Sequence, residues 1–143
     1  MTTKLSTPPV SATGTLVVAR YLDGRTVKGT TQDFVPVRTH FHIFPQGDQA
    51  ARAVLIDFKD LKAIFFVKSY DGDPKHKEEY SFDRAKGHGR KAVVMFHDRE
   101  MIAGYTMGYH QDRPGFFLLP AEPNSNNERV FIINAAVKVI RNL

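Results

Sequence analysis

The chain has 143 residues, a formal net charge of +5, 42% hydrophobic and 24% charged residues, and no cysteine. That length suits one ordinary domain or two very small ones, with apolar content enough for a real core. The missing cysteine excludes disulfides, a thiolate zinc site and a cysteine nucleophile, while the basic balance tilts the choice of partner toward anions such as nucleic acids, nucleotides or acidic protein surfaces.

Residues 1–14, "MTTKLSTPPVSATG", are polar and hold no apolar run of the kind a secretory signal needs. They read as a disordered leader before a cytoplasmic domain, and no later run reaches the length of a membrane span. Residues 15–68 then alternate strand and turn. "TLVVARYLDGRTVKGTTQDF" is a β-branched run, an Asp-Gly turn and a second run, the strongest short hairpin signal. "THFHIFP" is a third strand closed by Pro45, and "RAVLIDF" and "KAIFFVK" are a fourth and fifth separated by "KDL". Residues 69–91 are polar, charged and glycine-punctuated, and read as a linker. Residues 92–143 return to strands: "KAVVMFHDREMIAGYTMGY", "GFFLLP", "RVFIIN" and "VKVIRNL", with "PAEPNSNNE" as a loop.

The second set copies the first. When the chain is slid so that Gly29 falls on Gly104, Val18 meets Val93, Asp23 meets Asp98, Thr31 meets Thr106, Arg38 meets Arg113, Phe41 meets Phe116 and Pro45 meets Pro120. After one added residue, Ile56 meets Ile132, Leu61 meets Val137, Lys62 meets Lys138 and Ile64 meets Ile140. Such register marks an internal duplication. One turn differs: Arg99 stands where Gly24 stood. Five short strands cannot bury both faces as an open sheet but can bend into a small barrel, so the expected fold is all-β, with two tandem five-stranded small barrels. "IFFV" and "VFII" carry more apolar residues than tiny barrels need inside, which predicts that the barrels pack together, and residual strand edges suit pairing between chains into a dimer or ring.

Val18, Asp23-Gly24-Arg25, Gly29 and Phe34 resemble the first motif of Sm-like (LSm/Hfq-type) barrels: a hydrophobic strand, an Asp-Gly turn, a glycine in a bent strand and an aromatic near its end. Val137 and Ile140, like Leu61 and Ile64, resemble the second motif. The resemblance implies tandem Sm-like barrels and bent-strand glycines. It does not carry over the family's uridine-rich RNA pocket. The positions of its Asp and Asn hold Val35 and Thr39 in one copy and His110 and Pro114 in the other, and Asp57-Phe58 and Ile133-Asn134 replace its Arg-Gly. "DFVPVR" at Asp33 is also similar to the motif of PilZ barrels, which bind cyclic di-GMP. Val35 and Arg38 replace its Ser and Gly, and Arg20 and Arg25 are one residue too far apart, so the likeness is to a degenerate member. The chain further resembles bacterial tandem-barrel domains of unknown function, which carry over no activity.

Arg38 and Arg113 are the repeated polar residues of most interest, each preceding a strand and accompanied by an aromatic, Phe34 or Tyr109. An arginine with an aromatic can clamp a phosphate and stack a base. The repetition equally suits a structural role, in which each arginine bonds backbone carbonyls or pairs with Asp33 or Asp112. Arg84, Lys86, Arg90 and Lys91 of "RAKGHGRK" form a basic stretch suited to a phosphate backbone or to a solvated linker. His40 and His42 share a strand face but lack a third metal ligand unless His110 approaches, and "DGDPKHKEE" lacks the central glycine of a calcium loop. No nucleophile elbow, P-loop or dinucleotide motif occurs. The reading is therefore a non-enzymatic binding module without cofactor or metal, for a nucleic acid or nucleotide. The rival is a protein-interaction adaptor that works through a strand edge.

Overall fold

A computed structural model gives the fold, and the structure describes residues 14–47, 52–68, 89–106, 108–121 and 126–142. Arg84, Lys86, most of the leader and most of the linker lie outside the described residues. Among those described, no helix is long and apolar enough to cross a membrane.

The fold is all-β. The first half holds β1 (Thr15–Tyr21), β2 (Thr26–Thr31), β3 (His40–Pro45), β4 (Val54–Asp57), a single helical turn (Phe58–Asp60) and β5 (Leu61–Val67). The second holds β6 (Arg90–Phe96), β7 (Met101–Thr106), β8 (Gly115–Pro120), β9 (Asn127–Ile133), the matching turn (Asn134–Ala136) and β10 (Val137–Asn142). Arg90 and Lys91, which composition assigns to the linker, open β6. The ten strands form one open antiparallel sheet in the order β10-β6-β7-β8-β9-β5-β1-β2-β3-β4. Each half thus runs fifth, first, second, third, fourth, and the fourth strand of the second half joins the fifth strand of the first.

The pairing registers of the two halves coincide. Val17 faces Gly29 as Ala92 faces Gly104, His42 faces Leu55 as Phe117 faces Phe131, and Ala19 faces Ile64 as Val94 faces Ile140. The loops repeat as well. Gly24 N–H donates to Tyr21 O (3.0 Å) as Arg99 N–H does to Phe96 O (2.9 Å), and Leu22 N–H donates to Asp60 O (3.0 Å) as His97 N–H does to Ala136 O (3.1 Å). Gly24 has φ 95°, which glycine takes freely; Arg99 takes the same left-handed turn at φ 76° despite its Cβ. Gly29 and Gly104 are matched because the next strand crosses there: a Cβ would sit 2.0 Å from Phe44 O and 2.1 Å from Leu119 O respectively.

Alternation along β1 turns Val17, Ala19 and Tyr21 inward, where they meet Phe41 and Ile43 of β3 and Ile56 of β4. The core continues through β5 and β9 into Val94, Phe96, Phe116 and Leu118 of the second half as one cluster. All seven residues of β5 are buried, as are Val130–Ile133 of β9. The apolar surplus of "IFFV" and "VFII" is accounted for by this joint, where Phe131 lies opposite Ile64 and Ile132 opposite Ala63.

Candidate interaction surfaces at the joint and at the sheet ends

Phe34 follows β2 and sits at the joint. Its ring packs against Phe41, Phe58 and Phe66 of its own half (5.3, 5.9 and 5.3 Å between centroids) and Phe117 and Phe131 of the other (6.1 and 5.1 Å). Five rings from both halves thus surround it, and it is only half-buried. Arg129 of β9 lies across Phe66 and Phe117, with its guanidinium carbon 4.3 and 4.5 Å from the ring centroids.

A polar clasp spans the same joint. Lys62, 4% exposed, sends its Nζ from β5 to the β6–β7 turn, where it donates to Asp98 Oδ2 (2.7 Å) and to Glu100 Oε1. Arg20 donates to both Glu100 oxygens (3.1 and 3.2 Å). The hydrogen bond from Lys62, followed by that from Glu100 N–H, holds the Asp98 carboxyl below its usual range. A buried ammonium is tolerated here because two carboxylates receive it and the Phe96 ring lies 4.7 Å away.

Arg38 and Arg113 occupy equivalent exposed turns, closed by Arg38 N–H to Val35 O (3.0 Å) and Arg113 N–H to His110 O (3.3 Å). Neither guanidinium has an ion-pair partner among the described residues. Asp33 is taken by His42, which gives it a backbone N–H (2.9 Å) and ring Nδ1 (2.7 Å). Burial alone would raise the Asp33 pKa, but these bonds outweigh it and lower it. His40 Nδ1 meets only Thr39 Oγ1 (3.3 Å), and no group of three ligating side chains forms among the described residues.

Of the aromatics, Tyr109 is the more open: it is 41% exposed and rests edge-on against Phe116 (5.1 Å). Beside it a groove of about 710 Å³ follows β10, lined by Arg90, His110, Lys138 and Ile140 among others, with no carboxylate among the described residues. Tyr109 and Arg90 are thus brought together, while Arg113 lines a smaller hollow that shares His110, and Arg38 lines neither, although its neighbours Pro36 and Val37 line the hollow of Arg113. Lys91 is an exposed member of β6. Sequence reading missed the clasp, although the matched pairs Lys62/Lys138 and Asp23/Asp98 were its signal.

The two sheet ends are the other open surfaces. Among the described residues, β4 pairs only with β3 and β10 only with β6. Of the seven large hydrophobic residues left exposed among the described residues, four lie at these ends: Val54 and Leu55 on β4, Val139 on β10, and Tyr109 beside it.

A family model matches residues 13–143, so the chain belongs to a family of unknown function (DUF6982). No curated protein and no solved structure matches it.

Proposed function

We propose that this protein is a non-enzymatic, cytoplasmic interaction module whose working surfaces are the two open ends of its sheet. The observation that carries this reading is the apolar exposure gathered there: Leu55 is 59% and Val139 40% exposed on strands that each have a single neighbour among the described residues. An unpaired, apolar strand edge is a template for another strand. We read each half as a small Sm-like barrel, a reading supported by the identical strand order and registers of the halves.

A second reading, an anionic ligand such as a nucleic acid or nucleotide, rests on the groove in which Arg90, His110 and Lys138 surround Tyr109. The two readings compete for one place, because Tyr109, Lys138 and Ile140 line the groove and flank the β10 edge.

The test is a photo-crosslinking residue placed in cells at Leu55, at Val139 or, as control, at Met101, which is 43% exposed at the start of β7, away from both sheet ends. Protein adducts at the two edge positions and none at Met101 are expected. Absence of edge adducts, together with a salt-sensitive rise in melting temperature on adding single-stranded RNA, single-stranded DNA or cyclic di-GMP, would replace this reading with the anionic one.

A further inference from the structure

The partner fitted by each end is specified by the chain itself. The internal joint seats a fourth strand, β9, against a fifth strand, β5. Among the described residues, the sheet then ends in a fourth strand, β4, and a fifth strand, β10, each paired on one side only. We infer that β4 of one chain pairs with β10 of a second copy, head to tail, repeating the internal joint. This inference rests on the edge-binding reading above and names its partner.

Three sets of residues support it independently of strand order. The first is register: transferred through the duplication, Phe131 opposite Ile64 becomes Leu55 opposite Ile140, and Ile132 opposite Ala63 becomes Ile56 opposite Val139. These two central pairs are apolar, while the next two become Val54 opposite Arg141 and Ala53 opposite Asn142. The second is the wedge. Phe34 touches Phe117 and Phe131 across the internal joint, and its equivalent Tyr109 would meet His42 and Leu55 of the next chain. Tyr109 and Leu55 are among the residues left exposed. The third is the clasp. Lys62 reaches Asp98 internally, and the free ends carry the same pair, Lys138 on β10 and Asp23 in the β1–β2 turn.

The outer set is the weaker version. Arg25 stands where Glu100 stands in the internal clasp, and Asn134 and Asn142 replace Phe58 and Phe66. Lys138 therefore meets one carboxylate beside a guanidinium instead of two carboxylates. The association is accordingly reversible and concentration-dependent. Because the two contacting surfaces differ, it extends into a closed ring or an open fibre and not into a two-fold dimer.

The absence of cysteine makes a clean test. Full-length Leu55→Cys and Ile140→Cys variants are oxidised separately and mixed, since directly opposed Cα atoms fall within disulfide range. A crosslinked species is expected only in the mixture, and moving the second cysteine from Ile140 to Arg141 should reduce its yield several-fold. Asp23→Lys or Lys138→Asp should each abolish crosslinking, and the two charge-reversed variants together should restore it. Crosslinks in Leu55→Cys alone would replace head-to-tail pairing with two-fold edge pairing. No crosslink in any mixture, with sedimentation as a monomer at millimolar concentration, would overturn the inference. Edge adducts to a different protein in cells would then leave the edge-binding reading standing without it.

Discussion

β5 and β10 are the same element written twice and placed in opposite circumstances. "LKAIFFV" is buried along its whole length between β1 and β9, whereas "VKVIRN" pairs on one side and leaves Lys138, Val139, Arg141 and Asn142 exposed. The same contrast holds for β9 and β4. Sequence has followed environment. Phe65 and Phe66, which face the joint, correspond to Arg141 and Asn142, while Lys62 and Lys138, Ile64 and Ile140 persist in both. Of the β5 residues that pair with β9, only Ile64 is kept unchanged in β10, as Ile140, and Lys62 of the clasp is kept as Lys138. The free end has thus kept one joint residue and the clasp lysine while shedding much of the apolar surface that would make it insoluble.

Substitutions can break this comparison if the two sites respond alike. Phe131→Ala should cost about 3–5 kcal/mol, because the ring is fully buried at the joint, whereas Leu55→Ala should change the dilute protein by less than about 1 kcal/mol. Urea unfolding measures both, and equal losses would mean that the joint does not carry the fold. Gly29→Ala and Gly104→Ala should each cost roughly 2–3 kcal/mol or more, since the new Cβ would collide with a neighbouring strand carbonyl in either half. A large difference between them would show that the halves are not equivalent there.

The clasp gives a smaller contrast. Lys62→Met should destabilise by about 2 kcal/mol, because it strips the hydrogen-bonded ammonium from Asp98 and Glu100, and Lys138→Met by almost nothing in dilute solution. The matched turns sharpen the comparison further. Arg99→Gly should stabilise by about 0.5–1 kcal/mol by relieving a left-handed arginine, and Gly24→Arg should destabilise by a similar amount. The smallest effect is on pH dependence. Asp33 and Asp98 titrate below the ordinary value of 3.8 when folded, so their contribution is complete above that value and is lost as pH falls through the lower folded-state values. Melting temperature should therefore begin to fall only below about pH 4 on account of these groups, and Lys62→Met should flatten the part due to Asp98.

Much of the fold was legible because strands and turns are local. The Asp-Gly turn, the apolar alternation of β1 and the glycines matched at the strand crossings are all written within short windows. The turn that lost its glycine kept its geometry, since tertiary pairing of β6 with β7 holds Arg99 where propensity alone would not. The joining of the halves into one sheet was only hinted at, by the apolar surplus of "IFFV" and "VFII". Which strand pairs with which across more than sixty residues is not a property of any window. The candidate site was legible in fragments. Tyr109 and Arg90 come together in one groove, but Phe34, identical in motif terms, is surrounded by rings from both halves. Local sequence cannot distinguish an aromatic at a joint from one at an end.

The most direct measurement is amide hydrogen exchange along β4, β5, β9 and β10 at increasing protein concentration. The account predicts slow exchange in β5 and β9 at every concentration, and fast exchange of the outward amides of β4 and β10 in dilute solution, both slowing together as concentration rises. Outward amides of β4 and β10 that exchange at a constant fast rate up to millimolar protein, or that are as protected as β5 in dilute solution, would contradict it.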